Sequence, residues 1–161
     1  MKTSDYLIQS ARTVAPGFHT HQVDDDVALQ SISDFLVMAD RLDDIKKALF
    51  YNRDLGLKKD DQVDLDLGDL DPDLIHGVLG VATEGAELVE LLLGTDPSRE
   101  KLMDECGDVL WYLALIFRSK GLTFEEVMER NINKLRIRFP DKFEEHLAVE
   151  RDTDAEDKAF L

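Results

Sequence analysis

The sequence predicts an all-α protein, a bundle of four to five helices, and three observations support this. Apolar residues recur at spacings of three and four through most of the 161-residue chain, which is the period of one helix face. Strict alternation, the pattern of a half-buried strand, is confined to "VDLDLGDLD", whose Asp and Gly content disfavours a strand. Helix-capping residues also stand at the ends of the apolar segments.

Five helices are predicted, and their starts follow from local capping chemistry. Their approximate bounds are 5–13, 25–51, 72–93, 97–120 and 124–138. The third and fourth helices are expected to begin at Asp71 and Asp96, each a capping acid followed by a proline suited to the first helical position. The fifth begins with a capping box formed by Thr123 and Glu126.

The helix ends and the connections complete the predicted organisation. Gly94 and Gly121 are expected as left-handed helix stops. Residues 52–70 form an acidic connecting loop, and residues 146–161 form an acidic tail that is either a short surface helix or mobile. We expect the whole chain to be a single domain with its core in residues 72–145.

Composition excludes several classes of function. The formal net charge of −16 and the pI near 4.5 argue against nucleic acid and anionic membrane surfaces as partners, because both would repel the chain. The single cysteine, Cys106, excludes an intramolecular disulfide and favours a reducing compartment. No apolar run has the length of a signal or membrane-spanning segment, so we expect a soluble cytoplasmic protein.

Two pairs of acids interrupt otherwise apolar helix faces: Glu84 with Glu87 in "VATEGAELVE", and Glu105 with Asp108 in "MDECGDVLWYL". Residues three apart are neighbours on a helix, and the short connection "GTDPS" makes the two helices antiparallel and adjacent. Glu87 and Glu105 each lie nine residues from Asp96, and the other two acids each lie twelve, so the pairs come level. The sequence therefore predicts one cluster of four carboxylates.

Such a cluster requires a counter-charge. Two like charges about 4 Å apart repel by roughly 4 kcal/mol at an effective dielectric of about 20. Either the acids are protonated or a cation lies between them, and all-oxygen ligation favours Mg²⁺, with Mn²⁺ as the alternative. Basic partners are a competing explanation, although no Lys or Arg occurs between residues 76 and 98. Ordinary amphipathic helices with solvated acids are the remaining alternative.

The segments "TEGAEL", "DECGDVLWYLA" and "NINKLRIRFPDKF" resemble the MazG-type all-α nucleoside triphosphate pyrophosphohydrolases, whose pattern is E-x-x-E, a spacer and E-x-x-D. The resemblance implies Mg²⁺-dependent hydrolysis of a nucleoside or deoxynucleoside triphosphate at the α–β bond, on a homodimer or homotetramer. It implies that Glu84, Glu87, Glu105 and Asp108 are the metal ligands and catalytic carboxylates. Glu87 is the candidate acceptor for the proton of the attacking water.

The resemblance also assigns residues to the substrate. Tyr112 faces either the nucleotide or the core, and Trp111 is expected in the core or at a subunit interface. Asn131 and Lys134 match the family's Asn-x-x-Lys. Lys134 and Arg138 either reach phosphates or form a basic surface at a helix C-terminus.

One departure from the family concerns the basic-aromatic run that relatives often carry after the first acidic pair. Here the similar "KKALFYNR" stands upstream on the second predicted helix. Lys46 and Lys47 therefore either approach the substrate site from another helix or only solubilise a helix end.

Two other functions remain open from the sequence. One is a non-catalytic acidic helical bundle that binds partners, in which the carboxylates have only an electrostatic role. The other keeps the reaction but takes phosphoribosyl-ATP as substrate, as in a shorter relative of the same family. Base and sugar specificity do not follow from the residues.

Overall fold

The computed structural model describes residues 1–17, 19–56, 69–94 and 96–158, and their regular structure is helical throughout. This confirms the predicted all-α class. No strand occurs within these ranges. The helices are α1 (Thr3–Ala11), α2 (Asp25–Tyr51), α3 (Pro72–Glu90), α4 (Arg99–Lys120), α5 (Phe124–Arg138), α6 (Glu145–Val149) and α7 (Thr153–Lys158).

The starts of three long helices follow directly from capping side chains. The Asp24 carboxylate accepts two backbone N–H groups at the start of α2. Asp71 caps α3, and Pro72 occupies the first turn, as predicted. At α5 both halves of the capping box between Thr123 and Glu126 are present, which confirms that prediction. Each cap satisfies backbone donors that a helix leaves unpaired at its first turn.

Two local predictions around the connection between α3 and α4 are wrong. The Ser98 hydroxyl, rather than Asp96, caps α4, because it is the side chain that accepts a backbone N–H of the first turn. Gly121 has the expected left-handed conformation, with φ of 63°. Gly94 is extended instead, with φ of −100°, because α3 ends in the 3₁₀ turn Leu91–Leu93.

The sequence left the conformation of the acidic tail open and predicted only a loop for the acidic connection 52–70. Of the predicted connecting loop 52–70, residues 57–68 lie outside the described residues. The acidic tail forms part of α6 and the whole of α7, so the helical alternative holds for the described part of it. No helix in the described ranges combines the length and apolar character needed to cross a membrane.

The chain divides into two compact units. The carboxylate unit, residues 23–121, contains α2, α3 and α4, and in it α3 packs against both other helices. The terminal unit, residues 1–22 with 122–161, contains α1 and α5–α7, and in it α1 and α7 each pack on α5. The expectation of a single domain over the whole chain stays a prediction.

Two glycines set the distance between α3 and α4. A Cβ on Gly80 would lie 2.0 Å from Cδ1 of Tyr112. A Cβ on Gly77 would lie 2.6 Å from Cγ1 of Ile116 and 2.9 Å from the Tyr112 carbonyl oxygen. Because neither glycine has a side chain, the Tyr112 ring lies directly on the backbone of α3.

The terminal unit is held together by arginines. Arg12 on the turn after α1 donates hydrogen bonds to the carbonyl oxygens of Phe139 and Asp141, each at 2.8 Å. Arg138 binds both carboxylate oxygens of Glu156 at 2.7 Å, which ties α7 to α5. The hydrogen bonds from Arg138 and from a second arginine lower the pKa of the Glu156 carboxyl group to about 2.

Candidate functional site

Three of the four predicted carboxylates converge between α3 and α4. Glu84, Glu87 and Glu105 each offer one oxygen, and these oxygens lie within 4.8 Å of one another. We call these residues the carboxylate centre. Asp108 is exposed and does not belong to this group, so its role as a fourth ligand stays a prediction. The antiparallel register that brings Glu87 level with Glu105 is the one that residue counting predicts.

The three acids differ in their exposure to water. Glu84 is buried, with 7% of its surface exposed, whereas Glu105 is half-buried and Glu87 is exposed. A buried carboxylate is costly unless it is paired with a cation or protonated. The counter-charge of Glu84 therefore has to be identified separately from that of Glu87.

Lys46 of α2 supplies the counter-charge of Glu84. Its ammonium group donates to Glu84 Oε1 at 3.1 Å and to the Thr83 hydroxyl at 2.8 Å, and it pairs with Asp43 Oδ1 at 3.1 Å. Burial opposes the charge of Lys46, but the hydrogen bonds with Asp43 and Glu84 raise its pKa above the usual value. The absence of Lys and Arg between residues 76 and 98 therefore does not leave Glu84 without a basic partner, because this lysine comes from a different helix.

Lys47 lies on the same turn of α2 but has a different role. Its ammonium group pairs with Asp43, and 37% of its side chain is exposed. Burial alone would raise the pKa of Asp43, but the hydrogen bonds from Lys47 and Lys46 outweigh it and lower that pKa. Of the two lysines, the described contacts therefore connect only Lys46 directly to the carboxylate centre.

The repulsion between the acids raises the pKa of Glu87. Although Glu87 is exposed as a whole residue, partial desolvation of its carboxyl group and the negative charges of Glu84 and Glu105 raise its pKa to about 7, and a hydrogen bond with Glu105 contributes. The Glu87 carboxyl group therefore holds its proton into the neutral range when no cation is bound. A raised pKa is what we expect when carboxylates that would ligate a cation lie close together without it.

The pKa of Glu87 gives a pH dependence for the stability of the metal-free protein. Since folding raises this pKa from 4.5 to about 7, the stabilising contribution is complete below pH 4.5 and is lost as pH rises through about 7. Above pH 7, Glu87→Gln should unfold about 2–4 °C higher than wild type, because solvent screening limits the gain to roughly 1 kcal/mol or less.

Thermal unfolding of both chains with a chelator, at pH 5 and pH 8, measures this effect. The difference in Tm should be small at pH 5 and should favour Glu87→Gln at pH 8. Equal differences at the two pH values would contradict the raised pKa.

Comparison with known proteins bears on the same residues. Residues 77–143 match the model of the MazG nucleotide pyrophosphohydrolase domain. The match covers less than half of the chain, and over these residues the chain is similar to that family. The matched segment includes all three residues of the carboxylate centre, together with Asp108 and Tyr112. The family resemblance predicted from the sequence is thereby confirmed for this segment.

A relative shows the extent of the similarity. The "Gene 37 protein" of Mycobacterium phage L5 is 35% identical over 68 residues, which make up 38% of this chain and 60% of that protein. The chain thus spans about 60% of the length of this curated relative. No solved structure matches the chain at a significant level.

An aromatic group formed by residues of α2, α3 and α4 is linked to the carboxylate centre through Lys46, whose ammonium group lies 4.9 Å from the centroid of the Tyr112 ring. His76 stacks on Phe50, with ring centroids 4.1 Å apart, and the Tyr51 hydroxyl lies 3.3 Å from His76 Nε2. Tyr112 is buried, and burial together with a hydrogen bond to Tyr51 raises its pKa to about 12. Trp111 is 53% exposed, so its predicted place in the core is wrong, while a subunit interface stays a prediction.

The predicted substrate residues of α5 all lie in the terminal unit. Asn131 Oδ1 accepts a hydrogen bond from the Tyr6 hydroxyl at 3.1 Å. Arg138 is engaged by Glu156, and Lys134 is half-buried. Their roles toward phosphates in the MazG reaction stay predictions.

Proposed function

We propose that the chain hydrolyses a nucleoside or deoxynucleoside triphosphate between the α and β phosphates, releasing a monophosphate and pyrophosphate. The observation that carries this proposal is the convergence of Glu84, Glu87 and Glu105 inside the MazG segment. The MazG match indicates a nucleotide pyrophosphohydrolase. The reaction at the α–β bond follows from that family resemblance.

The donor set fits a hard divalent cation, Mg²⁺ or Mn²⁺. The three converging groups offer only oxygen atoms, and the described group contains no thiol or imidazole. Desolvation and the negative charges of Glu84 and Glu105 raise the pKa of Glu87, and a bound cation would relieve that repulsion. We propose that Glu84, Glu87 and Glu105, with Asp108, hold the cation. When bound, it would neutralise phosphate oxygens, which a chain of net charge −16 otherwise repels.

Within the carboxylate centre, Glu84 and Glu87 are assigned different roles in the reaction. Glu84 is fixed by Lys46 and therefore offers a rigid carboxylate. Glu87 is exposed to water, unlike Glu84, so we assign it as the acceptor of the proton from the attacking water.

We further propose that the chain assembles as a homodimer or homotetramer. The carboxylate unit leaves large apolar side chains exposed on all three of its helices, more than an isolated soluble unit normally shows. A second copy of the same unit would bury them. Examples are Phe35, Met38, Leu49, Val78, Met103 and Leu110.

A non-catalytic acidic bundle is the second candidate function. The observation that favours it is the ion pair between Lys46 and Glu84, which neutralises the most buried acid of the carboxylate centre without any metal. In that case the remaining acids would be surface charges that contact a basic partner.

Pyrophosphate release distinguishes the two candidates. The wild-type chain is assayed with the common ribo- and deoxyribonucleoside triphosphates and dUTP, with Mg²⁺, with Mn²⁺ and with a chelator. We expect metal-dependent release from at least one nucleotide, which would also name the substrate class. No release across the panel, with no change in Tm on adding either metal, would favour the binding protein.

A further inference from the structure

The side chain of Lys46 is the feature that neither the sequence nor the family assignment explains. Only 3% of its surface is exposed, although lysine is seldom buried so completely. It crosses from α2 to α3, and its ammonium group lies 4.9 Å from the centroid of the Tyr112 ring on α4. One positive charge therefore contacts all three helices of the carboxylate unit.

The ammonium group has no donor left for a phosphate. A lysine offers three N–H donors, and here Thr83, Glu84 and Asp43 take one each. The Thr83 hydroxyl is itself fixed, because it donates to the carbonyl oxygen of Gly80 at 3.1 Å while it accepts from Lys46. All three N–H donors of Lys46 are thus taken by groups of its own chain, whereas a lysine that binds a ligand keeps a donor free for it.

The position of this charge affects any cation that binds at the centre. Glu84 is shared between Lys46 and the group formed with Glu87 and Glu105. A fixed positive charge 3.1 Å from a shared carboxylate both holds it in place and weakens its attraction for a second cation.

We propose that Lys46 is a fixed cation of the carboxylate centre, which supplies part of the neutralisation that divalent metal would otherwise provide and so limits how tightly the centre binds metal. This inference rests on the proposed metal-binding function of the centre. It assigns Lys46 as a positioning residue rather than as a ligand of the substrate phosphates. The charge of Lys47 is excluded from this role, because it pairs with Asp43 at a half-exposed site.

Mn²⁺ serves as the probe for this inference. Its Kd is measured by calorimetric titration, and Tm is measured with and without Mn²⁺, for wild type, Lys46→Gln, Lys46→Arg and Lys47→Gln. Lys46→Gln removes the charge but keeps a polar group beside Thr83 and Glu84. Lys47→Gln is the matched control, since it removes a charge from the adjacent residue.

Lys46→Gln should bind Mn²⁺ at least about tenfold more tightly than wild type, because the competing charge is gone. Without metal its Tm should fall by more than about 4 °C, since Glu84 is left buried and unpaired, and Mn²⁺ should restore most of that loss. Lys46→Arg and Lys47→Gln should keep the wild-type Kd within about threefold.

Three results would overturn the inference. A Kd for Lys46→Gln that is unchanged or weaker, with the same loss of Tm at all Mn²⁺ concentrations, would make Lys46 an ordinary structural ion pair. A Lys46→Gln chain that stays unfolded at saturating Mn²⁺ would show that metal does not replace this charge. A wild-type chain that binds no Mn²⁺ would remove the proposed metal centre itself, and that result is visible without any variant.

Discussion

Glu84→Gln is expected to reduce metal-dependent pyrophosphate release by about 10²–10³-fold, the loss seen when one electrostatic group is removed from a reacting centre. The substitution keeps the size of the side chain and an oxygen that can accept from Lys46, so the fold should survive. It removes one negative charge from the group of three acids whose oxygens lie within 4.8 Å of one another. The rise in Tm on adding Mg²⁺ or Mn²⁺ should shrink with the activity.

The same substitution should leave the metal-free chain close to wild type in stability. Lys46 loses part of its pairing with Glu84 but keeps Asp43 and Thr83. Removing the negative charge of Glu84 should also reduce the repulsion at Glu87, because that charge helps to raise the pKa of Glu87 to about 7.

Asp104→Asn is the matched control for Glu84→Gln. Asp104 is exposed, immediately precedes Glu105 and is not part of the carboxylate centre, so its neutralisation changes the net charge equally. Activity and metal response of this variant should stay within about twofold of wild type, as for most surface substitutions. If Glu84→Gln retains activity comparable to Asp104→Asn, the carboxylate centre is not the site of the reaction.

The helices were predictable because their signals are local. Asp71 and the capping box of Thr123 with Glu126 act within one turn, and the structure places each at a helix start. The prediction failed at Asp96, where two side chains compete to cap the same helix and Ser98 accepts the N–H. Propensity alone does not decide which of two neighbouring capping residues the chain uses.

The carboxylate centre was predictable for the same reason. Counting residues away from a short connection fixes the register of two antiparallel helices, and it brings Glu84, Glu87 and Glu105 together. Lys46 was not assigned as the partner of Glu84, since 38 residues separate the two, and the packing of α2 against α3 leaves no periodic signal in the sequence. Periodicity identifies the apolar face of a helix but not which helix it faces.

The close approach of α3 and α4 gives the second large effect. Gly80→Ala should destabilise the chain by about 3 kcal/mol or more and lower its Tm by roughly 6 °C or more, because the new methyl group overlaps a packed ring. A Cβ at this position would lie 2.0–2.2 Å from three atoms of the Tyr112 ring, and real contacts of that length do not occur. Either the ring or α4 has to move. Since Lys46 lies against the same ring, activity should fall together with stability.

Gly85→Ala is the control that separates this clash from the intrinsic preference of alanine for helices. Gly85 lies on the same helix, and a Cβ there would have no heavy atom within 4 Å apart from those of its chain neighbours and of its own helix backbone. Alanine should therefore stabilise the chain by about 0.5–1 kcal/mol, which raises Tm by roughly 1–4 °C. Thermal unfolding of the two variants beside wild type should thus give shifts of opposite sign. If both substitutions raise Tm, α3 and α4 are farther apart than these contacts indicate, and Tyr112 has room to move without disturbing Lys46.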